Sequence, residues 1–433
     1  MRRIKLVEND PKQTQMTVMV SHPTGNANLR EVVRAFDESE ILAEFNTCIA
    51  IDKKSLSLKF LTASLRNEFL RREFPIGASK IKTHAFRELM RLGFARFGLN
   101  YFTRHEIGAF SVDSIYRSFD RAVSNRLPRL LKTKGVTSVY AYEDGALNTF
   151  REARHLGLNC YYDLPIGYWR SARKLLGAAA EKSPAWASTM SGFRDSESKL
   201  KRKDEELALA DHIFVASRFT QKSLESFPGN LPPVTVVPYG FPPVIEEKNY
   251  STLKNRPLKM LFVGGLSQRK GIANVLEAAG VMDSRVELTV IGRKPQLPCE
   301  PLDAGLSKHR YIPSLTHAEV LAEMRAADVL VFPSLFEGFG LVITEAMSQG
   351  TPVITTDRTC GPEFIKHNVN GWLVQADDTN ALVDQLETLL SNPGLVAEAG
   401  REARKTAAMR PWSAYGSDLV KKLEIIEGKT QKE

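Results

Sequence analysis

The chain has 433 residues, 43% hydrophobic and 25% charged, a balance ordinary for soluble globular protein and a length that suits two domains, each with its own core. Its 59 basic and 50 acidic side chains leave a net charge of +9, which favours anionic partners (nucleotide phosphate, lipid headgroups, nucleic acid) without choosing among them. The four cysteines show neither C-x-x-C nor clustered His/Cys spacing, which argues against a structural zinc and for a reducing compartment.

The opening, MRRIKLVENDPKQ, has no apolar stretch behind its basic residues and is not expected to act as a secretory signal. No apolar run approaches the about 18 residues that cross a bilayer. MTVMVSHPTGNANLREVVRAF reads as a strand, a turn carrying Gly25, and a helix, with Asn26 and Asn28 where Asx side chains cap their own backbone. From Lys59 to Arg104 ten basic residues meet three acidic ones, and Phe86, Leu89, Met90, Phe94 and Phe97 recur at helical spacing with arginines on the flanks. Such a helix either packs with a solvated basic edge or lies on an anionic membrane surface, the segment 66–104 being the candidate for peripheral membrane contact.

VTSVYAY and LNCYYDL read as strands flanking a helix, with Glu143, Asp144 and Asp163 at their carboxyl ends, where open α/β sheets bind ligands. The charged run KLKRKDEELAL is expected to be a solvated helix, and Ser217 the cap of the helix after DHIFVAS. The polar, proline-bounded stretch PPVIEEKNYSTLKNRP, 242–257, marks a linker. LKMLFVGGLSQRKGIANVLEAAG then gives strand, glycine loop and helix, and VELTVIGRKP a strand ending at Gly292 and Arg293. In HRYIPSLTHAEVLAEMRAADVLVF, Thr316 is read as a helix cap.

The run from Val329 to Thr356, VLVFPSLFEGFGLVITEAMSQGTPVITT, organises the rest. A fully apolar, β-branched strand leads through Pro333-Ser334 to the loop FEGFG, then to a helix from Leu341 ended by Gly350, then to the next strand. Glu337 stands in the loop and Glu345 one turn inside the helix. The loop feeds a helix N-terminus, whose free N–H groups suit a phosphate. Helical side chains lean toward that end, so Glu345 can reach vicinal hydroxyls, such as those of a ribose, just beyond the phosphate.

Buried strand, Pro-Ser, Glu-Gly-Phe-Gly, second glutamate, Ala-Met, Gly and Pro-Val together resemble the signature of the retaining, nucleotide-sugar-dependent glycosyltransferases of family four. The resemblance is dense from about Leu258 to Val374 and loose before that. It implies an α/β protein of the GT-B fold: two Rossmann-like domains facing across a cleft, with a C-terminal helix returning to the first. The expected division is 1–245 for the acceptor side, 246–405 for nucleotide-sugar binding and 406–433 for the returning helix.

The resemblance further implies transfer of a hexose-type sugar from a nucleoside diphosphate sugar with retention of anomeric configuration, a step in carbohydrate biosynthesis. Lys270 becomes the diphosphate clamp, with Arg269 supplying a second cation where some members carry an arginine at the position of Gly265. Glu337 and Lys270 are expected to act in catalysis. Glu345, Arg269, Gly264, Gly265, Arg293, Gly338, Phe339, Gly340, Leu341 and Tyr311 are expected to bind the donor, and Gly25 and Asn26 to face the acceptor. Many members place a histidine at the end of the strand that here reads Tyr162-Asp163-Leu164, so Asp163 is expected to take part of its role or to cap the following segment. No cofactor and no metal are expected, because cations and loop amides can stabilise the departing diphosphate.

The acceptor is expected to be a glycan, a lipid-linked molecule or a small molecule, and the location cytoplasmic or peripheral at the inner membrane face. Competing readings are a nucleotide-sugar epimerase on the same fold and a non-catalytic nucleotide-sugar-binding protein. A nucleic-acid binder rests on charge alone and would require steep salt dependence, and the chain holds no recognisable nucleic-acid module.

Overall fold

The computed structural model describes residues 16–51, 72–190, 194–250 and 256–430. The basic residues Lys59, Arg66 and Arg71 lie outside the described residues, as does part of the linker. Thirteen strands are described: β1 Val18–Ser21, β2 Leu42–Thr47, β3 Ile81–Thr83, β4 Ser138–Tyr142, β5 Asn159–Leu164, β6 His212–Val215, β7 Val234–Val236, β8 Leu258–Val263, β9 Val286–Ile291, β10 Arg310–Ile312, β11 Val329–Phe332, β12 Val353–Thr355 and β13 Gly371–Leu373. They form a seven-stranded sheet ordered β3-β2-β1-β4-β5-β6-β7 and a six-stranded one ordered β10-β9-β8-β11-β12-β13. All five pairs of the second sheet are parallel. That arrangement explains why VLVF in β11 is apolar throughout: helices cover both faces, and every residue of the strand is buried.

In each sheet the strand order reverses once, between β1 and β4 in the first and between β8 and β11 in the second. Open parallel sheets leave a crevice beyond the carboxyl ends of the strands at such a point. The 264–271 and 333–340 loops therefore flank one crevice, and the 22–26 and 143–145 loops another. Two Rossmann-like domains are thus present.

By density of contacts the chain divides into Met1–Tyr161 with Leu419–Glu433, and Tyr162–Asp418. The division falls inside β5, earlier in the chain than the linker. The segment that follows β5 puts Leu176, Ala179 and Met190 against Leu335 and Phe336 of the central loop, which ties it to the second unit. The helix Trp412–Thr430 ends in the first unit, where Glu427 accepts hydrogen bonds from Tyr161 Oη at 2.7 Å and Asn159 Nδ2 at 3.1 Å.

The charged helix Glu197–Leu209 departs from expectation, because it is not a solvated face on every side. Leu200 and Leu207 are buried, and so is Glu206, which accepts the Tyr162 hydroxyl at 3.1 Å. A buried carboxylate is tolerated when hydrogen-bonded, and mixed charge in the sequence does not reveal it.

Candidate active site

The second unit builds its site from the two loops at the β8/β11 reversal. After β8 the chain turns at Gly264, passes through a short helix Gln268–Lys270 capped by Ser267, and turns again at Gly271. Gly271 has φ of 75°, and a Cβ there would overlap the Pro333 carbonyl, so only glycine fits. The Arg269 carbonyl accepts the Leu335 N–H at 2.8 Å and the Ser334 hydroxyl at 3.0 Å. These contacts lock the 268–271 turn to the 333–340 loop.

The locking brings three charged groups together. The Lys270 ammonium is in direct contact with one Glu337 oxygen, while Arg269 Nη1 lies 3.5 Å from the other and donates to the Phe336 carbonyl at 3.1 Å. All three side chains are mostly buried. Burial holds the Lys270 ammonium well below the usual lysine range, and the neighbouring Arg269 charge acts in the same direction. Burial likewise lowers Arg269. Two desolvated cations with one carboxylate between them form a site short of negative charge, suited to an anion carrying more than one charge.

The loop itself is held by its backbone. A Cβ on Gly338 would overlap the Pro165 carbonyl, and the Gly338 carbonyl accepts hydroxyls from Ser217 at 2.6 Å and Thr220 at 3.0 Å. Ser217 also caps the helix Arg218–Ser223, as its sequence position suggested. Phe339 packs on Tyr239 with ring centroids 4.7 Å apart. Gly340, at φ 93°, opens the helix Leu341–Ser348 with no side-chain cap. Ile343 N–H donates to the Gly340 carbonyl at 2.9 Å, and no side chain caps the amides of Leu341 and Val342.

Glu345 lies on that helix and accepts from His317 Nε2 at 3.1 Å. His317 escaped the sequence reading; its only signal is its place directly after the Thr316 cap, which forms a capping box with Glu319. The hydrogen bond to Glu345 raises His317 above the usual histidine range. At the neighbouring strand ends, Tyr311 lies in β10 beneath the Lys294 ammonium, 5.4 Å from its ring centroid. Arg293 is exposed, and its carbonyl, not its side chain, accepts the Leu266 N–H at 3.1 Å. Gly265 has open space around its Cα.

Asp163 is buried in β5, and its charge helps burial push the Tyr239 hydroxyl well up from its ordinary value. It thus neighbours the aromatic residue that packs on Phe339. In the first unit, Asn26 is the cap of the helix Ala27–Glu38 and accepts the Leu29 N–H at 2.9 Å, while a Cβ on Gly25 would press on the Phe74 ring. The Asn26 side-chain oxygen is therefore engaged by its own backbone. At the same reversal the sequence reading passed over His22, a buried ring that accepts the Thr24 N–H at 3.0 Å and packs edge-on to Tyr142. Burial lowers it to about 4.

Residues 244–406, which contain the whole Arg269–Lys270–Glu337–Glu345 arrangement, match the family described as Glycosyl transferases group 1. This segment is similar along its whole length to a group 1 glycosyl transferase domain. Within the curated proteins the chain is 32% identical over 173 residues to the phosphatidyl-myo-inositol mannosyltransferase of Mycobacterium leprae, a match covering 39% of this chain and 46% of that one. The chain thus spans about half the length of that relative. Solved structures resemble nearly the whole chain: sucrose-phosphate synthase from Thermosynechococcus elongatus, with TM-score 0.63 at 16% identity, covers 96% of this chain and 100% of its own. Anabaena HepE in complex with UDP and glucose, with TM-score 0.62 at 15% identity, covers 95% and 100%. These likenesses extend the GT-B fold beyond residues 244–406 to the rest of the chain.

Proposed function

We propose that the protein transfers a hexose-type sugar from a nucleoside diphosphate sugar to a glycan, lipid-linked or small-molecule acceptor, retaining anomeric configuration and using no metal. The observation that carries this reading is the contact of Lys270 and Arg269 with Glu337 beside the uncapped start of the 341–348 helix. A diphosphate placed there takes Lys270 and Arg269 as counter-charges and the loop amides as hydrogen-bond donors. As the bond from the sugar to the diphosphate breaks, charge grows on the leaving oxygen, and fixed cations in a water-poor site stabilise it. Glu337 then faces the sugar, where positive character develops. Glu345 takes the ribose hydroxyls in exchange for His317, and the backbone around Tyr311 meets the base. Gly25 and Asn26 are assigned to the acceptor side. Asp163 acts through Tyr239 and Phe339 on the shape of the loop.

The four cysteines are free thiols and buried, which supports a cytoplasmic setting. Among the described residues no helix is long and apolar enough to cross a membrane.

Thermal-shift screening of nucleotide sugars tests the donor, starting with UDP-sugars, since the HepE structure holds UDP and glucose. Transfer is then followed with the responsive donor in excess EDTA, and the product anomer is read by NMR. Activity that survives the chelator and a product of unchanged anomeric configuration are expected. Loss in EDTA restored by magnesium or manganese would overturn metal independence, and an inverted product would overturn retention. Conversion of the donor without acceptor would make the protein an isomerase.

A further inference from the structure

The helix Phe86–Arg96 was expected either to pack away its apolar stripe or to offer it to a membrane, and the structure half-buries Met90 and Phe94 while leaving Phe86, Leu89 and Phe97 uncovered. Phe86 is 72% exposed and Phe97 79%, with Leu89 between them on the same face. The chain then continues through a short helix Asn100–Thr103 and a turn, where Tyr101 is 73% and Ile107 77% exposed. These segments pack on each other within the first unit. Phe94 stacks on Phe102 at 4.7 Å and contacts Phe110 at 5.1 Å, Phe110 N–H donates to the Phe102 carbonyl at 2.9 Å, and Arg87 donates to the Ala109 carbonyl. An inner row of aromatic rings therefore supports an outer row facing solvent. Scattered exposed apolar residues are ordinary; large rings concentrated on one short stretch of chain mark an interaction surface.

Charge selects the occupant. Between Phe74 and Val112 the carboxylates are Glu88, buried between Arg72 and Arg91, and Glu106, paired with His105 at 3.2 Å. Among the described residues Lys82, Arg96 and Arg104 are exposed and have no ion-pair partner. The exposed charges of this segment that have no ion-pair partner are thus cationic. A second copy of this chain would bring the same cations against themselves. The segment 52–71, outside the described residues, carries five basic and two acidic residues and has the same sign. An anionic bilayer supplies both missing complements: headgroups for the arginines and an interfacial apolar layer for the rings.

We propose that the segment 86–107, with Phe86, Phe97, Tyr101 and Ile107 as its inserting side chains and Arg96 and Arg104 as its headgroup contacts, docks the protein on an anionic lipid surface. These residues belong to the first unit and lie outside residues 244–406 in sequence, so the inference stands whether or not the donor assignment does.

The full chain is sedimented with vesicles of phosphatidylcholine alone and of phosphatidylcholine with phosphatidylglycerol. Binding to the second only, released as salt rises, is expected. Arg96→Glu with Arg104→Glu should weaken it about thirtyfold or more, at roughly a kilocalorie-scale effect per basic residue at the surface. Phe86→Ser with Phe97→Ser and Tyr101→Ser should abolish it while far-UV circular dichroism and melting temperature stay unchanged, since these rings bury little. Equal recovery with both vesicles, or variants that bind as the native chain does, would overturn the proposal. So would a dimer in sedimentation velocity that the serine variant dissolves, which would give the patch to a second copy. Vesicle binding that appears only after deletion of 52–71 would give it to that segment instead.

Discussion

Lys270 and Glu337, 67 positions apart in sequence, meet in a buried ion pair that Arg269 completes from the other side of the carboxylate. In the proposed reaction this pair is a held place: the diphosphate takes the ammonium, and Glu337 is released toward the sugar. Breaking a buried pair from either side has different consequences, and these separate the two roles.

Removing the carboxylate leaves the buried Arg269 and Lys270 without their counter-charge, which a bound anion would restore and loss of the Lys270 proton would relieve. Glu337→Gln should therefore bind UDP at least as tightly as the native protein while its turnover falls by about a hundredfold or more. Calorimetry gives the first quantity and steady-state kinetics the second. Normal turnover in this variant would remove Glu337 from the reaction.

Lys270 also sets a pH dependence. Its pKa is held down in the free protein, and a diphosphate would raise it, so donor binding should take up a proton at any pH between the two values. Affinity should be full below the free-state pKa and fall as pH rises toward the donor-bound one. Calorimetry in buffers of different ionisation enthalpy should show this uptake in the native protein and not in Lys270→Met. Identical heats in all buffers would mean the ammonium stays charged throughout.

The His317–Glu345 hydrogen bond offers a second readout. In the free protein His317 should titrate above the usual histidine range, and Glu345→Ala should return it toward that range. If Glu345 turns to ribose hydroxyls, UDP should lower the His317 pKa as well, seen by NMR of the ring protons. The same variant should raise the donor KM about ten- to a hundredfold with little change in turnover, the mark of uniform binding.

Backbone packing of the loop predicts a stability contrast. Gly338→Ala forces a methyl against the Pro165 carbonyl, an overpacking cost of about 1–3 kcal/mol, or a fall in Tm of roughly 2–12 °C. Gly177→Ala, in the helix Trp169–Lys182 with nothing near its Cα, should instead be neutral or gain about 0.5–1 kcal/mol. Differential scanning calorimetry of the two variants checks both signs.

Local pattern was enough to read the elements of the second unit. A short, continuously apolar β-branched run is a strand buried on both faces, Gly350 ends its following helix, and Ser217 and Thr316 cap theirs, because each depends only on residues a few positions away. The family signature in Val329–Thr356 likewise lies within one strand–loop–helix unit. What the tertiary structure decided are relations that cross long stretches of chain. Lys270 meets Glu337 because β8 and β11 are neighbours in the sheet, and His317 meets Glu345 because the helices carrying them pack side by side. Asn26 is spent on its own helix cap, and Glu206 is buried in a helix whose charges read as solvated. The aromatic stripe from Phe86 to Phe97 shows the reason most directly. Helical periodicity says that residues share a face, but not what, if anything, covers it; only the three-dimensional packing covers Phe94 with Phe102 and Phe110 and leaves Phe86 and Phe97 in solvent.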